Sequence, residues 1–145
     1  MLDTNICSYL ISQTEPYFKN ILNHLLKQDK SAVFISSLSV AELLYGVENS
    51  SHKEQNLALV NEFLSHFNIV NFDSKRAKAY AKVHKAVKDK NRNAGEINMQ
   101  LATTAIANNL TLITNNEKDF NYIEILNTQN WGKYPKFVSP FYFLS

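Results

Sequence analysis

Three short apolar runs, each giving way to polar residues, are separated by long stretches with helical spacing. That alternation limits the fold more than any other feature of the chain. Met1–Thr4 is a short opening run that ends in an acid and a hydroxyl. Ala32-Val33-Phe34-Ile35 is bounded by charge on one side and serines on the other, and Leu110–Thr114 ends in polar residues. Compact runs of this kind fit strands buried on both faces. Between them, Asn5 to about Ile11 reads as a short helix, and Glu15–Lys27 as a second, with Phe18, Ile21, Leu22, Leu25 and Leu26 on one face. Ser39, followed three residues later by Glu42, has the pattern of a capping box opening a helix to about Glu48. His52–Phe67 carries Leu57, Val60, Phe63, Leu64 and Phe67 at helical spacing; Ile69-Val70 is a brief strand. Asp73 or Ser74 opens a basic helix to about Lys90, Ile97–Asn109 forms another helix, and Tyr122–Ile125 is the expected last strand. Strands alternating with helices predict an α/β fold around a parallel sheet, in which function gathers where the strands end.

The length of 145 residues fits one domain. Only three glycines and three prolines punctuate it, so long helices with short connections are expected. The single cysteine, Cys7, excludes an internal disulfide and a cysteine-rich zinc site, as suits a reducing cytosol. No apolar run approaches the roughly 18 residues a membrane span requires. Asp3 stands where a signal peptide would be basic, so a cytoplasmic location is expected. A net charge of +2 permits a nucleic-acid partner without arguing for one. The local pattern says more, because Lys75, Arg76, Lys78, Lys82, Lys85, Lys88, Lys90 and Arg92 crowd one segment. That segment is either the solvated face of an amphipathic helix or a stripe that meets phosphates.

Chemistry-bearing residues fall at the ends of the three runs. The first leads into Asp3-Thr4-Asn5, the second into the helix bearing Glu42, and the third into Thr114-Asn115-Asn116 with Asp119 beyond. Bringing Asp3, Glu42 and Asp119 together would cluster like charges, which is costly unless a cation offsets them. An all-oxygen site without cysteine suits Mg²⁺, with Mn²⁺ as a substitute, and such ions can activate water against a phosphodiester. Each acid also has a plainer reading: Asp3 as a helix cap, Glu42 as the partner of Ser39, Asp119 as a loop acid.

The ordered words Met1-Leu2-Asp3-Thr4-Asn5, Ile35-Ser36-Ser37-Leu38-Ser39-Val40-Ala41-Glu42-Leu43-Leu44-Tyr45-Gly46 and Leu110-Thr111-Leu112-Ile113-Thr114-Asn115-Asn116, with Asp119-Phe120, resemble the successive motifs of VapC toxins. The stretch Ile123–Trp131 is similar to the family's usual close. The resemblance implies a PIN domain over residues 1–131, a three-layer α/β/α fold with a central twisted parallel sheet. It also implies a metal-dependent endoribonuclease, commonly acting on structured RNA such as tRNA, possessed of a VapB-like antitoxin and forming a homodimer. Carried over by position, Asp3 and Glu42 match the first two acids, Thr114 the hydroxyl position, and Asn116 and Asp119 the last acidic position. Thr4 and Asn5, with Thr114 and Asn116, are expected to orient the metal ligands.

One position departs from the family's pattern. Where the third acid would open a helix after a glycine-containing loop, Gly95-Glu96-Ile97-Asn98 supplies an amide. Asn98 is nearly isosteric with aspartate but brings no negative charge, so metal binding and water activation should both weaken. Glu96, two residues away, points to another helix face. The change reads as an engineered or selected loss of function, with natural divergence as the alternative. His24, His52, His66 and His84 are scattered and do not suggest a site, and Cys7 reads as core. Tyr9, Phe18, Phe34, Tyr45, Phe63 and Phe67 read mostly as core, with Tyr45 one turn beyond Glu42. Residues 132–145, which hold Tyr134, Phe137, Phe141, Tyr142 and Phe143, form a tail beyond the family's usual end.

Overall fold

The computed structural model describes residues 1–133 other than 91, 93 and 94. The expected tail therefore lies outside the described residues from 134 onward. Strand β1 (Phe34–Ser36) pairs in parallel with β2 (Asn68–Val70), and β3 (Leu112–Ile113) with β4 (Thr128–Gln129). Leu2 joins the two pairs by parallel bridges to Ile35 and Ile113. Its amide donates to Phe34 O at 2.9 Å, and the next amide, that of Asp3, donates to Ile113 O at 3.0 Å. The order across the sheet is thus β2, β1, the Leu2 segment, β3, β4. The opening residues form its centre line.

Alternation along these short strands explains the layers, because successive side chains face opposite ways. Met1, Val70 and Leu112 enter one apolar cluster, while Leu2, Ile35 and Ile113 enter another. Helices α1 (Thr4–Ser12), α2 (Tyr17–Leu25), α3 (Ser37–Glu48) and α4 (Lys53–Leu64) cover the Leu2 face with Ile6, Leu10, Ile21, Leu43, Val47 and Val60. Helices α5 (Ser74–Asp89) and α6 (Glu96–Ala107) cover the Met1 face with Val83, Val87, Met99, Leu101, Ala102 and Ala105. Each fully buried Leu or Ile contributes about 1.5–3 kcal/mol, so two continuous clusters are enough to hold a sheet of very short strands. The three-layer α/β/α expectation holds.

Several local expectations change. The first run supplies only the Leu2 bridge, because Thr4 already belongs to α1. Ser36, not Ser39, caps α3: its backbone is extended, and its hydroxyl accepts from the Leu38 amide at 3.2 Å. The helix therefore starts earlier than expected, and Ser39 is buried inside it, which overturns the capping-box reading of Ser39 and Glu42. Tyr122–Ile125 is not a strand. Phe120, Ile123 and Leu126, three residues apart, drop into the Met1 cluster through consecutive turns, and pairing resumes only at β4. Tyr45 is 69% exposed rather than core. Cys7 is buried, as expected. Among the described residues, no helix is long and apolar enough to cross a membrane.

Candidate active site

Asp3 follows directly from the centre line of the sheet. It caps α1, where its Oδ1 accepts from the Ile6 amide at 2.9 Å, so the plain capping role and a place in the site coexist. Only 5% of Asp3 is exposed. Burial pushes its carboxyl above the usual aspartate range and the charge of Glu42 adds to the rise, while the Thr114 hydroxyl and the Ile6 and Asn5 amides oppose it.

Glu42 reaches the same place from α3, because the early start of that helix puts it in the second turn facing α1. The Thr4 hydroxyl donates to Glu42 Oε2 and lies 3.0 Å from Ser39 Oγ. Asn98 comes from α6. Gly95 precedes that helix with φ of +76°, a backbone region that side chains disfavour. This tight entry sets Asn98 in the first turn, from which its Nδ2 donates to Asp119 Oδ2 at 3.3 Å. Asn116 also donates through Nδ2 to Asp119 Oδ2, and its own amide is held by Thr114 Oγ1 at 3.0 Å.

Asp3, Thr4, Asn5, Glu42, Asn98, Leu101, Asn116 and Phe120 line one cavity of about 240 Å³. It sits at the C-terminal ends of the strands, the expected place in a parallel sheet. All four residues proposed from sequence as ligands converge here, with Asp119 joined through the two amides rather than lining the cavity itself. Three of the four proposed supporting residues, Thr4, Asn5 and Asn116, line it too, and Thr114 stands behind them, holding Asp3 and the Asn116 amide. A larger groove of about 310 Å³, lined by Leu10, Phe18, Leu22, Leu25, Phe63 and Phe67 among others, is almost wholly apolar and carries no carboxylate. The chemistry lies in the smaller cavity.

The donors fit a hard divalent cation in kind, since every one is an oxygen or an amide and no thiol or imidazole faces the cavity. His24 instead stacks on Trp131 at 5.4 Å, and His84 meets Tyr80 edge-on. In charge the set falls short: among the described residues, no group of three acidic, histidine or cysteine side chains is placed to hold a metal. Asn98 lines the same cavity as Asp3 and Glu42 but brings no charge to it.

None of the eight basic residues lines the cavity. Arg76, near the start of α5, pairs with Asp73 at 2.7 Å and reaches Asn108, just past the end of α6, at 2.5 Å. The two helices therefore run antiparallel, and the far end of α5 shares the Asn98 end of the molecule. There Lys90 pairs with Glu124 at 2.6 Å, and the Arg92 guanidinium lies 5.6 Å from the centre of the Tyr122 ring. The segment is thus mostly a solvated face, three of its eight cations paired with carboxylates, with only its C-terminal end beside the site. Sequence reasoning did not single out Tyr122, which was placed in the expected strand.

A family model described as PIN domain matches residues 1–126. Ribonuclease VapC2 of Rickettsia felis is 41% identical over 133 residues, covering 92% of this chain and 98% of that protein. The tRNA(fMet)-specific endonuclease VapC of Shigella flexneri is 31% identical over 132 residues, covering 91% and 97%. The solved structure of VapBC2 from Rickettsia felis, bound to a DNA fragment from their promoter, aligns with a TM-score of 0.81 at 39% identity, covering 90% of this chain and 97% of that one. Fold, motif order and likeness across nearly the whole chain agree: it belongs to the PIN-domain family and, within it, to the VapC ribonucleases.

Proposed function

We propose that this chain is the endoribonuclease toxin of a toxin–antitoxin pair, dependent on Mg²⁺ or Mn²⁺ and attenuated by Asn98. The observation that carries this reading is the convergence of Asp3, Glu42 and Asn98 on one cavity at the strand ends. Asp3 and Glu42 would hold the ion, with Asn98 as a neutral ligand and Asp119 as the nearest further carboxylate. When bound, a divalent ion supplies a nucleophile at neutral pH and offsets charge on the phosphoryl oxygens. Thr4 fixes the Glu42 carboxylate, Thr114 and the start of α1 fix Asp3, and Asn98 and Asn116 fix Asp119. Asn5, on the exposed rim, is free to meet substrate.

A tRNA substrate, initiator tRNA included, is supported by the name of the Shigella flexneri relative. A VapB-like antitoxin is supported by the VapBC2 complex of Rickettsia felis. Homodimer formation and a cytoplasmic setting rest on family resemblance alone. A second reading, a catalytically dead PIN-fold module that engages antitoxin or RNA, is favoured by the Asn98–Asp119 hydrogen bond, which ties up one carboxylate with an amide.

The test is digestion of labelled initiator tRNA and of a DNA of matched sequence, in Mg²⁺, in Mn²⁺ and in EDTA, with Glu42→Gln alongside. Slow cleavage of RNA alone, lost in EDTA and in Glu42→Gln, is expected. No cleavage by either this chain or its Asn98→Asp variant would favour the binding module.

A further inference from the structure

A cavity that gathers Asp3, Glu42 and, at its edge, Asp119 repels the phosphodiester it is proposed to cut, so a fixed cation beside it has a clear electrostatic role. Three of the eight basic side chains of the segment are already committed. Arg76 is held by Asp73 at the far end, Lys85 by Asp89, and Lys90 by Glu124 and the Tyr122 carbonyl. Lys75, Lys78 and Lys82 lie toward the Arg76 end. Lys88 is exposed, with no described side-chain contact to orient it.

Arg92 differs. Like Lys75, Lys78, Lys82 and Lys88 it pairs with no carboxylate among the described residues, but unlike them it meets a ring: its guanidinium sits 5.6 Å from the centre of the Tyr122 ring. That contact restrains the planar fork while leaving its N–H donors free, the state suited to a phosphate. Its position relative to the site is fixed through Tyr122, whose hydroxyl is buried without a hydrogen-bond partner among the described residues and feels the charges of both Arg92 and Asp119. Asp119 in turn receives the Asn98 amide. Arg92 is thus held against a ring that stands two residues beyond Phe120, which lines the cavity, on the segment that also carries Asp119.

We propose that Arg92 is a substrate-gripping residue, which contacts the RNA backbone beside the carboxylate cavity while the Tyr122 ring holds its guanidinium in place. This rests on the ribonuclease reading. It narrows the basic segment to one residue that sets substrate affinity, with Tyr122 as its positioning residue.

The experiment measures binding of fluorescently labelled initiator tRNA by anisotropy in EDTA, across a salt series, and then steady-state cleavage in Mn²⁺. Arg92→Gln is expected to weaken binding about tenfold and to reduce the salt slope by about one. It should also raise KM with kcat little changed. Arg92→Lys should recover part of the affinity, since the charge returns without the plane. Tyr122→Leu should weaken binding although no charge is lost, and Lys75→Gln should change it less than twofold. If the unaltered chain binds tRNA and Arg92→Gln binds it equally well, the assignment of Arg92 is overturned while the ribonuclease reading stands. A loss in Lys75→Gln as large as in Arg92→Gln would also overturn it, as a general charge effect. If the unaltered chain neither binds nor cuts RNA, both readings fall.

Discussion

Replacing Asn98 by Asp turns a hydrogen bond into a meeting of like charges, and its size can be worked from the geometry. Asn98 Nδ2 donates to Asp119 Oδ2 at 3.3 Å. In Asn98→Asp an anionic oxygen takes the place of that donor. Two unit charges about 4 Å apart repel by about 4 kcal/mol at the effective dielectric of about 20 typical near a protein surface. Loss of a hydrogen bond to a charged group adds about 1.5–3 kcal/mol. Both residues are only partly buried, so rotation and solvent relieve much of this, and we expect a net loss of about 2 kcal/mol. For a chain of this size about 1 kcal/mol moves Tm by about 2–4 °C, so in EDTA the variant should melt about 4–8 °C below the parent. A divalent ion should reverse the order: binding at a hundredfold excess over Kd stabilises by about 2.7 kcal/mol, and the added carboxylate makes that excess easier to reach. Thermal melts of both proteins in EDTA and in Mg²⁺, with RNA cleavage measured in parallel, test this. Equal melting in EDTA, or the same Mg²⁺ increment in both proteins, would refute the reasoning. So would a variant that gains ion binding without any gain in cleavage, as far as catalysis is concerned.

Asp3→Asn isolates the cost of the buried acid. The Asp3 carboxyl is raised in the folded state, so the folded protein holds that proton to higher pH than the unfolded chain does. The resulting contribution to stability is present below the ordinary aspartate range and is lost as pH rises through the raised value. At neutral pH, in EDTA, Asp3→Asn should therefore melt higher, by roughly 0.5–2 kcal/mol, since asparagine caps a helix as well as aspartate. The advantage should shrink as pH falls toward about 4, and melts across that range check it; the same variant should abolish RNA cleavage. Ile35→Ala, at a fully buried position in the Leu2 cluster, should cost about 2–5 kcal/mol in urea unfolding, with the denaturant slope unchanged.

Much of the architecture was readable because it is written in apolar spacing. The two-sided burial of Leu2, Ile35 and Leu112 and the helical faces of α1 to α6 follow from that spacing. The cavity was harder: Asp3 and Glu42 are individually ordinary and were grouped by their places after the apolar runs, while Asn98 was found only through the order of the family motifs. What was misread depended on local competition. Three serines crowd the start of α3, and spacing alone does not reveal that the extended backbone at Ser36 takes the cap. Tyr122–Ile125 alternates as a strand would, yet the three-residue spacing of Phe120, Ile123 and Leu126 suited turns packed on α5 and α6. The polar pair Thr128-Gln129 gives no apolar signal of the strand it forms. In the basic segment, pairing decided the outcome: Lys90 lies 34 residues from Glu124, a separation that no helical pattern discloses.

The opening residues of this protein are stitched between partners made much later. Met1 and Thr111, joined by a hydrogen bond of 2.7 Å, stand 110 apart in the chain. At about 5–20 residues per second, a ribosome needs roughly 5–20 s to bridge that gap. Until then the first-made acid has no neighbouring strand on one side to seat it. A translation product cut short before β3 would carry Asp3 and Glu42, already linked through Thr4, but not the Thr114, Asn116 and Asp119 side of the site, so the cavity closes only once the third strand is made.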